Sequence, residues 1–198
     1  MRVVGVGLGV LLLLGLACTS ADVDPVPPSD CVAGPAILPA DPGCAAQPLT
    51  SQNVPLWLAS VECSPGGNEG AIEQDIEAHR GDEGITDALF AVVDAGWTFD
   101  GTSQSCTDWL SAGMALGVIQ ALEDPAALAR LDALVWRPLP QHPAELAQLE
   151  TDAANALACI PTPEARAEAQ NIAANHPLAQ LRDDVAYKLQ SQKCAFYQ

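Results

Sequence analysis

The stretch "HPAELAQLETDAANALACI", His142 to Ile160, decides the fold class. Pro143 suits the first turn of a helix, where its missing N–H would go unpaired anyway. Behind it Leu146, Leu149, Ala153, Ala156, Leu157 and Ile160 recur at helical intervals and share one face. The same device opens three neighbouring segments: "DPAALARLDALV" at Pro125, "TPEARAEAQNIAA" at Pro163 and "HPLAQLRDDVAYKLQ" at Pro177. Asp124 and Thr162 stand directly before their prolines as N-caps, and Leu128, Leu131, Leu134 and Val135 line one face. Alanine, leucine, glutamate and glutamine are strong helix formers, and few runs alternate as strands do. The pattern predicts an all-α domain.

Upstream, helices are expected at about 53–61, 69–80, 85–95 and 106–122. Gly81 and Gly96 stand where a helix ends on a left-handed residue, and "WTFDGTSQS", Trp97 to Ser105, reads as a turn. "PAALARLD" and "PAELAQLE" agree at five of eight positions, and Pro125 to Pro163 and Pro143 to Pro177 span 38 and 34 residues. A helix pair recurring at that interval resembles HEAT-type α-solenoid repeats over about residues 108–192. A non-repetitive helical bundle fits the same pattern.

The N-terminus carries an address. Met1 and Arg2 precede 14 apolar or glycine residues, Val3 to Leu16. That is short of the roughly 20 needed to span a bilayer, and it fits the apolar region of a secretory signal. The run ends "LLLLGLACTSA", Leu11 to Ala21, with small Gly15 and Ala17 before Cys18. This resembles the lipobox of bacterial lipoproteins, which implies cleavage after Ala17 and a diacylglycerol on Cys18. Thr19 rather than Asp after that cysteine implies, by the same resemblance, the outer membrane. An ordinary signal peptide cut after Ala17 or Ala21 is the alternative. The Pro-rich polar residues that follow make a semi-extended spacer. The expected organisation is a signal peptide at 1–17, a lipidated tether at 18–50 and a helical domain at 51–198.

Seven cysteines are an awkward number for an exported protein. With Cys18 given to the lipid, Cys31, Cys44, Cys63, Cys106, Cys159 and Cys194 can close three bridges in an oxidising compartment. No C-x₂₋₄-C spacing suggests a metal site. Six cysteines allow 15 pairings; joining nearest neighbours gives Cys31–Cys44, Cys63–Cys106 and Cys159–Cys194. The last two would each staple a three-helix unit.

Formal charge is −17. That argues against nucleic-acid and anionic-lipid binding, both of which need Lys and Arg clusters, and favours a cationic partner or divalent ions. Catalytic signatures (H-E-x-x-H, G-x-S-x-G, C-x-x-C, a phosphate loop with its lysine) do not occur, and no cofactor is implied. His142 and His176 both precede proline at helix starts, which suits a capping role. "EAHRGDEG", Glu77 to Gly84, contains the Arg80-Gly81-Asp82 tripeptide that resembles integrin ligands, yet it also reads as a helix end. Glu69, Glu73, Asp75, Glu77, Asp82 and Glu83 could collect calcium but lack the D-x-D-x-D-G loop. Of the four tryptophans, Trp57, Trp97, Trp109 and Trp136, the last stands in the proline-rich "WRPLPQHP". There it is either a contact point or a plug at the end of a helical core.

The leading expectation is a lipid-anchored envelope protein whose helical domain binds another envelope protein or gives structural support, without catalysis. The alternatives are an exported enzyme, with a site assembled from residues such as His79, Asp82, Glu83 and Asp87, and an acidic metal-ion carrier.

Overall fold

A computed structural model of the chain describes residues 47–62, 69–99, 104–105, 108–137 and 144–196. Among the described residues eight α-helices run in chain order: α1 Val54–Glu62, α2 Glu69–Ala78, α3 Glu83–Gly96, α4 Trp109–Leu122, α5 Leu128–Val135, α6 Ala144–Cys159, α7 Pro163–Asn175 and α8 Ala179–Ser191. The regular structure of the described residues is all helical apart from one two-residue ladder. In that ladder β1 (Thr98–Phe99) pairs antiparallel with β2 (Gln104–Ser105), Thr98 opposite Ser105 and Phe99 opposite Gln104. The segment expected to be a plain turn is therefore a miniature hairpin, and Thr98 and Phe99 are residue types that favour extended backbone.

Caps set the helix starts. Asp82 Oδ1 accepts from Ile85 N at 3.2 Å, which starts α3 two residues before the expected position. Asp108 Oδ1 accepts from Ser111 N at 3.2 Å and starts α4 at Trp109 rather than at 106. Pro163 holds the first turn of α7, with Thr162 Oγ1 accepting from Ala165 N at 3.1 Å. Pro125 opens a 3₁₀ turn, Pro125–Ala127, capped by Asp124, and the α-helix begins only at Leu128. Pro177 precedes α8 by two residues, and Pro143 lies outside the described residues.

Gly81 ends α2's turn with φ +73°, as a left-handed stop should. Gly96 serves a different need from the one expected. A Cβ there would stand 2.5 Å from the Asp108 carbonyl oxygen and 3.1 Å from Ala112 Cβ. The glycine lets α3 and α4 approach, and it is close packing rather than backbone conformation that requires it.

The helices form two layers. α4, α6 and α8 lie side by side, α6 in the middle; α3, α5 and α7 cover them, each packed on the helix that follows it. α1 and α2 pack against α3 and α4. The core runs through both layers and includes Trp57, Leu89, Phe90, Trp97, Leu116, Ile119, Leu131, Leu149, Leu157, Ile172 and Val185. α6 is buried on more than the single face expected of it. Leu149, Ala153, Ala156, Leu157 and Ile160 are covered, but so are Ala154, Glu150 and Thr151. A helix flanked by α4 and α8 and roofed by α5 and α7 has few directions left for solvent. The side chain of Leu146 lies outside the described set.

Cys159, the last residue of α6, is bonded to Cys194, three residues past α8, with Cα atoms 5.7 Å apart. The cystine closes the α6–α7–α8 unit. Cys18, Cys31, Cys44, Cys63 and Cys106 lie outside the described residues. None of the described helices is long and apolar enough to cross a membrane.

Candidate functional site

One corner of the two-layer stack combines an exposed aromatic ring with carboxylates. Trp136 closes α5, its backbone N–H donating to Asp132 O at 3.0 Å, and it keeps 37% of its surface exposed. Its indole Nε1–H donates to Glu168 Oε1 on α7 at 2.8 Å, and Asn171 Nδ2 donates to the same oxygen at 3.0 Å. Its ring lies 5.1 Å from that of His176, tilted by 52°. Trp136 is thus held from below and from one side, with part of its ring left open.

His176 supplies the rigid floor. It is 2% exposed, and its two ring nitrogens have different duties. Nδ1 accepts from Leu178 N at 3.3 Å, which leaves the proton on Nε2 to be donated to Val135 O at 3.1 Å. Arg182 Nη1 donates to the His176 carbonyl oxygen at 2.6 Å. The residue expected to cap α8 instead ends α7 and ties α5, α7 and α8 together. Such a histidine has a structural task.

Asp132 sits one turn before Trp136, beside Glu168. Burial pushes its carboxyl above the usual range, the Glu168 charge and a hydrogen bond with Glu168 add to this, and the Trp136 indole partly opposes it. The corner therefore places carboxyl groups at the edge of an aromatic face. A cationic side chain would meet the ring quadrupole and the carboxylates together.

A second polar feature lies under this corner. Glu150 is fully buried on α6, and burial pushes its carboxyl up to about 8, against the attraction of Arg137. The Arg137 guanidinium lies over the Trp97 ring, 4.5 Å from its centroid. Burial lowers the Arg137 pKa, while Asp94 and Glu150 oppose that. Glu150 and Trp97 are buried, and Arg137 is half-buried.

The remaining residues singled out in the sequence are spread out. His79 Nδ1 lies 3.6 Å from Asp82 Oδ2, but Asp82 is committed to capping α3. Glu83 is exposed on the first turn of α3, and Asp87 pairs with Arg130 at 3.3 Å. Arg80 of the Arg-Gly-Asp tripeptide is held by Glu77 at 2.9 Å and Glu123 at 3.4 Å. Asp75 is a structural acceptor, taking Leu49 N at 2.9 Å and Trp57 Nε1 at 2.8 Å. Among the described residues no group of three His, Cys, Asp or Glu could hold a metal ion. His142 is outside the described set.

Sequence reasoning reached Trp136 but not its partners. Asp132 lies four residues before it, a spacing visible in the sequence. Glu168 and His176 lie 32 and 40 residues further on, and nothing local links them to it. Comparison with known proteins gives no match: no protein-family model, no curated protein and no solved structure is similar to this chain.

Proposed function

We propose that the chain is a lipid-anchored envelope protein, tethered through Cys18, whose helical domain binds another envelope protein at the Trp136 corner. The observation that carries the binding reading is a tryptophan fixed by Glu168 and His176 yet 37% exposed. An aromatic side chain already held in place loses little freedom on binding, which suits an interface anchor. The carboxylates beside it and the formal charge of −17 favour a partner presenting Lys or Arg. The order of the layers, with α4, α6 and α8 in one and α3, α5 and α7 in the other, supports reading the domain as a short α-solenoid of three helix pairs.

The test has two parts. Intact mass of protein recovered from membranes should show an acylated N-terminal Cys18. A photo-crosslinker at exposed Ala133, one turn before Trp136 on α5, in cells, should capture one partner, and capture should weaken with rising salt. A soluble, unacylated protein overturns the tether. Crosslinks that are absent, or scattered over many abundant proteins, overturn the binding site.

A further inference from the structure

A groove at the other end of the stack has the opposite electrostatic character. It encloses about 560 Å³ between the C-terminal ends of α6 and α8 and the start of α7. Arg166 and Lys188 line it, and Lys188 also lines an adjoining hollow of about 300 Å³ that contains Lys193. The combined size is that of a small-molecule site.

The basic residues of this acidic chain divide into two groups. Arg80 and Arg130 each pair with two carboxylates. Arg137 lies on Trp97 under the influence of Glu150, and Arg182 donates to the carbonyls of His176 and Pro177. Arg166, Lys188 and Lys193 make no ion pair among the described residues, although the chain has 25 acidic residues and only 8 basic ones. Arg166 and Lys188 line the groove, and Lys188 and Lys193 line the hollow beside it. Lys188 donates to the Lys193 carbonyl at 2.8 Å, and burial first, then the Lys193 charge, lowers the Lys188 pKa. Glu123 on the groove wall is engaged by Arg80, and Asp184 in the hollow forms no ion pair with either lysine.

Among the described residues only Glu123 and Gln192 are non-glycine residues with positive φ, each at 52°. They are the left-handed caps that end α4 and α8, and both line this groove. The opposite wall is apolar, formed by Ile160, Pro161, Leu189 and the Cys159–Cys194 cystine.

We propose that this groove binds an anionic amphiphile, with a phosphate or carboxylate head on Arg166, Lys188 and Lys193 and a short apolar chain along Ile160, Pro161 and Leu189. Arg166 reaches in from the first turn of α7, whose positive dipole end adds to its charge. Such a ligand could be a membrane lipid or a free compound, and the head-group chemistry is the same for both.

The test uses the full chain and decyl phosphate below its micellar concentration, followed by calorimetry. One molecule should bind saturably, and R166Q combined with K193Q should weaken it at least fivefold. Both side chains are exposed, and far-UV circular dichroism with thermal melting checks that the variant folds. R182Q, away from the groove, should bind as the parent does. Decyltrimethylammonium, of the same chain length and opposite charge, should not bind. Vesicles containing phosphatidylglycerol, but not pure phosphatidylcholine vesicles, should displace decyl phosphate if the natural ligand is a membrane lipid. Displacement by neither assigns a free compound. No saturable binding, equal binding by the double variant, or equal binding of the cationic amphiphile overturns the proposal.

Discussion

Trp57 and Trp136 make the same hydrogen bond in opposite surroundings. Each indole N–H donates to a carboxylate at 2.8 Å, Trp57 to Asp75 and Trp136 to Glu168. Trp57 is 2% exposed and sits in the core between α1 and the rest of the domain. Trp136 is 37% exposed at the end of α5. A hydrogen bond fixes a ring in either setting; the surrounding apolar surface decides whether the ring stabilises the fold or remains available. The bond is therefore a poor guide to function, and burial beside it a good one.

The contrast is sharpest if both rings are removed. Trp57→Ala should cost about 3–5 kcal/mol, as large-to-small core substitutions do, and chemical denaturation should show it as a lowered midpoint. Trp136→Ala should cost less, about 1–2 kcal/mol in the same measurement, since more than a third of its surface is already exposed, while capture by a crosslinker at Ala133 should disappear. Equal losses of stability would break the distinction.

Glu150 extends the comparison to a carboxyl that serves no indole. Its pKa is raised in the folded state, from an ordinary 4.5 to about 8. The fold therefore binds this proton more tightly than the unfolded chain does. The stability that it contributes is full below pH 4.5, declines as pH rises, and is lost by the time pH passes about 8. Glu150→Gln removes the titration, so the variant should melt several degrees above the parent at pH 9 and close to it at pH 4. Parallel melting curves across that range would count against a buried, proton-holding Glu150.

The acceptors themselves should rank in the same order as the rings, on a smaller scale. Asp75→Asn weakens the acceptor of both Leu49 N and Trp57 Nε1 and should cost about 1–3 kcal/mol. Glu168→Gln at the exposed corner should cost under about 1 kcal/mol. It should also relieve Asp132 of a neighbouring negative charge and bring that carboxyl back towards the ordinary range, which carbon-13 NMR titration of the Asp132 side chain can follow.

What the sequence made legible follows from where the signals are local. Pro163 behind Thr162 and the periodic leucines of α5 and α6 are readable because a cap and a helical face each occupy a few consecutive turns. The burial of Glu150 is not readable. It lies off the apolar face of α6, and only the packing of four helices around α6 closes that side. The Trp136 corner needed Glu168 and His176 brought in from α7, and the groove needed Arg166 and Lys188 from different helices. Charge counts are also blind to pairing: eight basic residues say nothing of which ones meet a carboxylate until the ion pairs are known.

The Cys159–Cys194 bond has a mechanical consequence. Tension applied between Gln47 and Phe196 passes from α6 through the cystine to the C-terminal residues, and α7 and α8 hang as a closed loop outside the load path. With the bond intact, a stretched molecule should be shorter in contour by the loop's 35 positions, about 120 Å at full extension. Reduction would return that length to the chain in a force-extension trace. With this bond the protein can be pulled on while its last two helices bear none of the load.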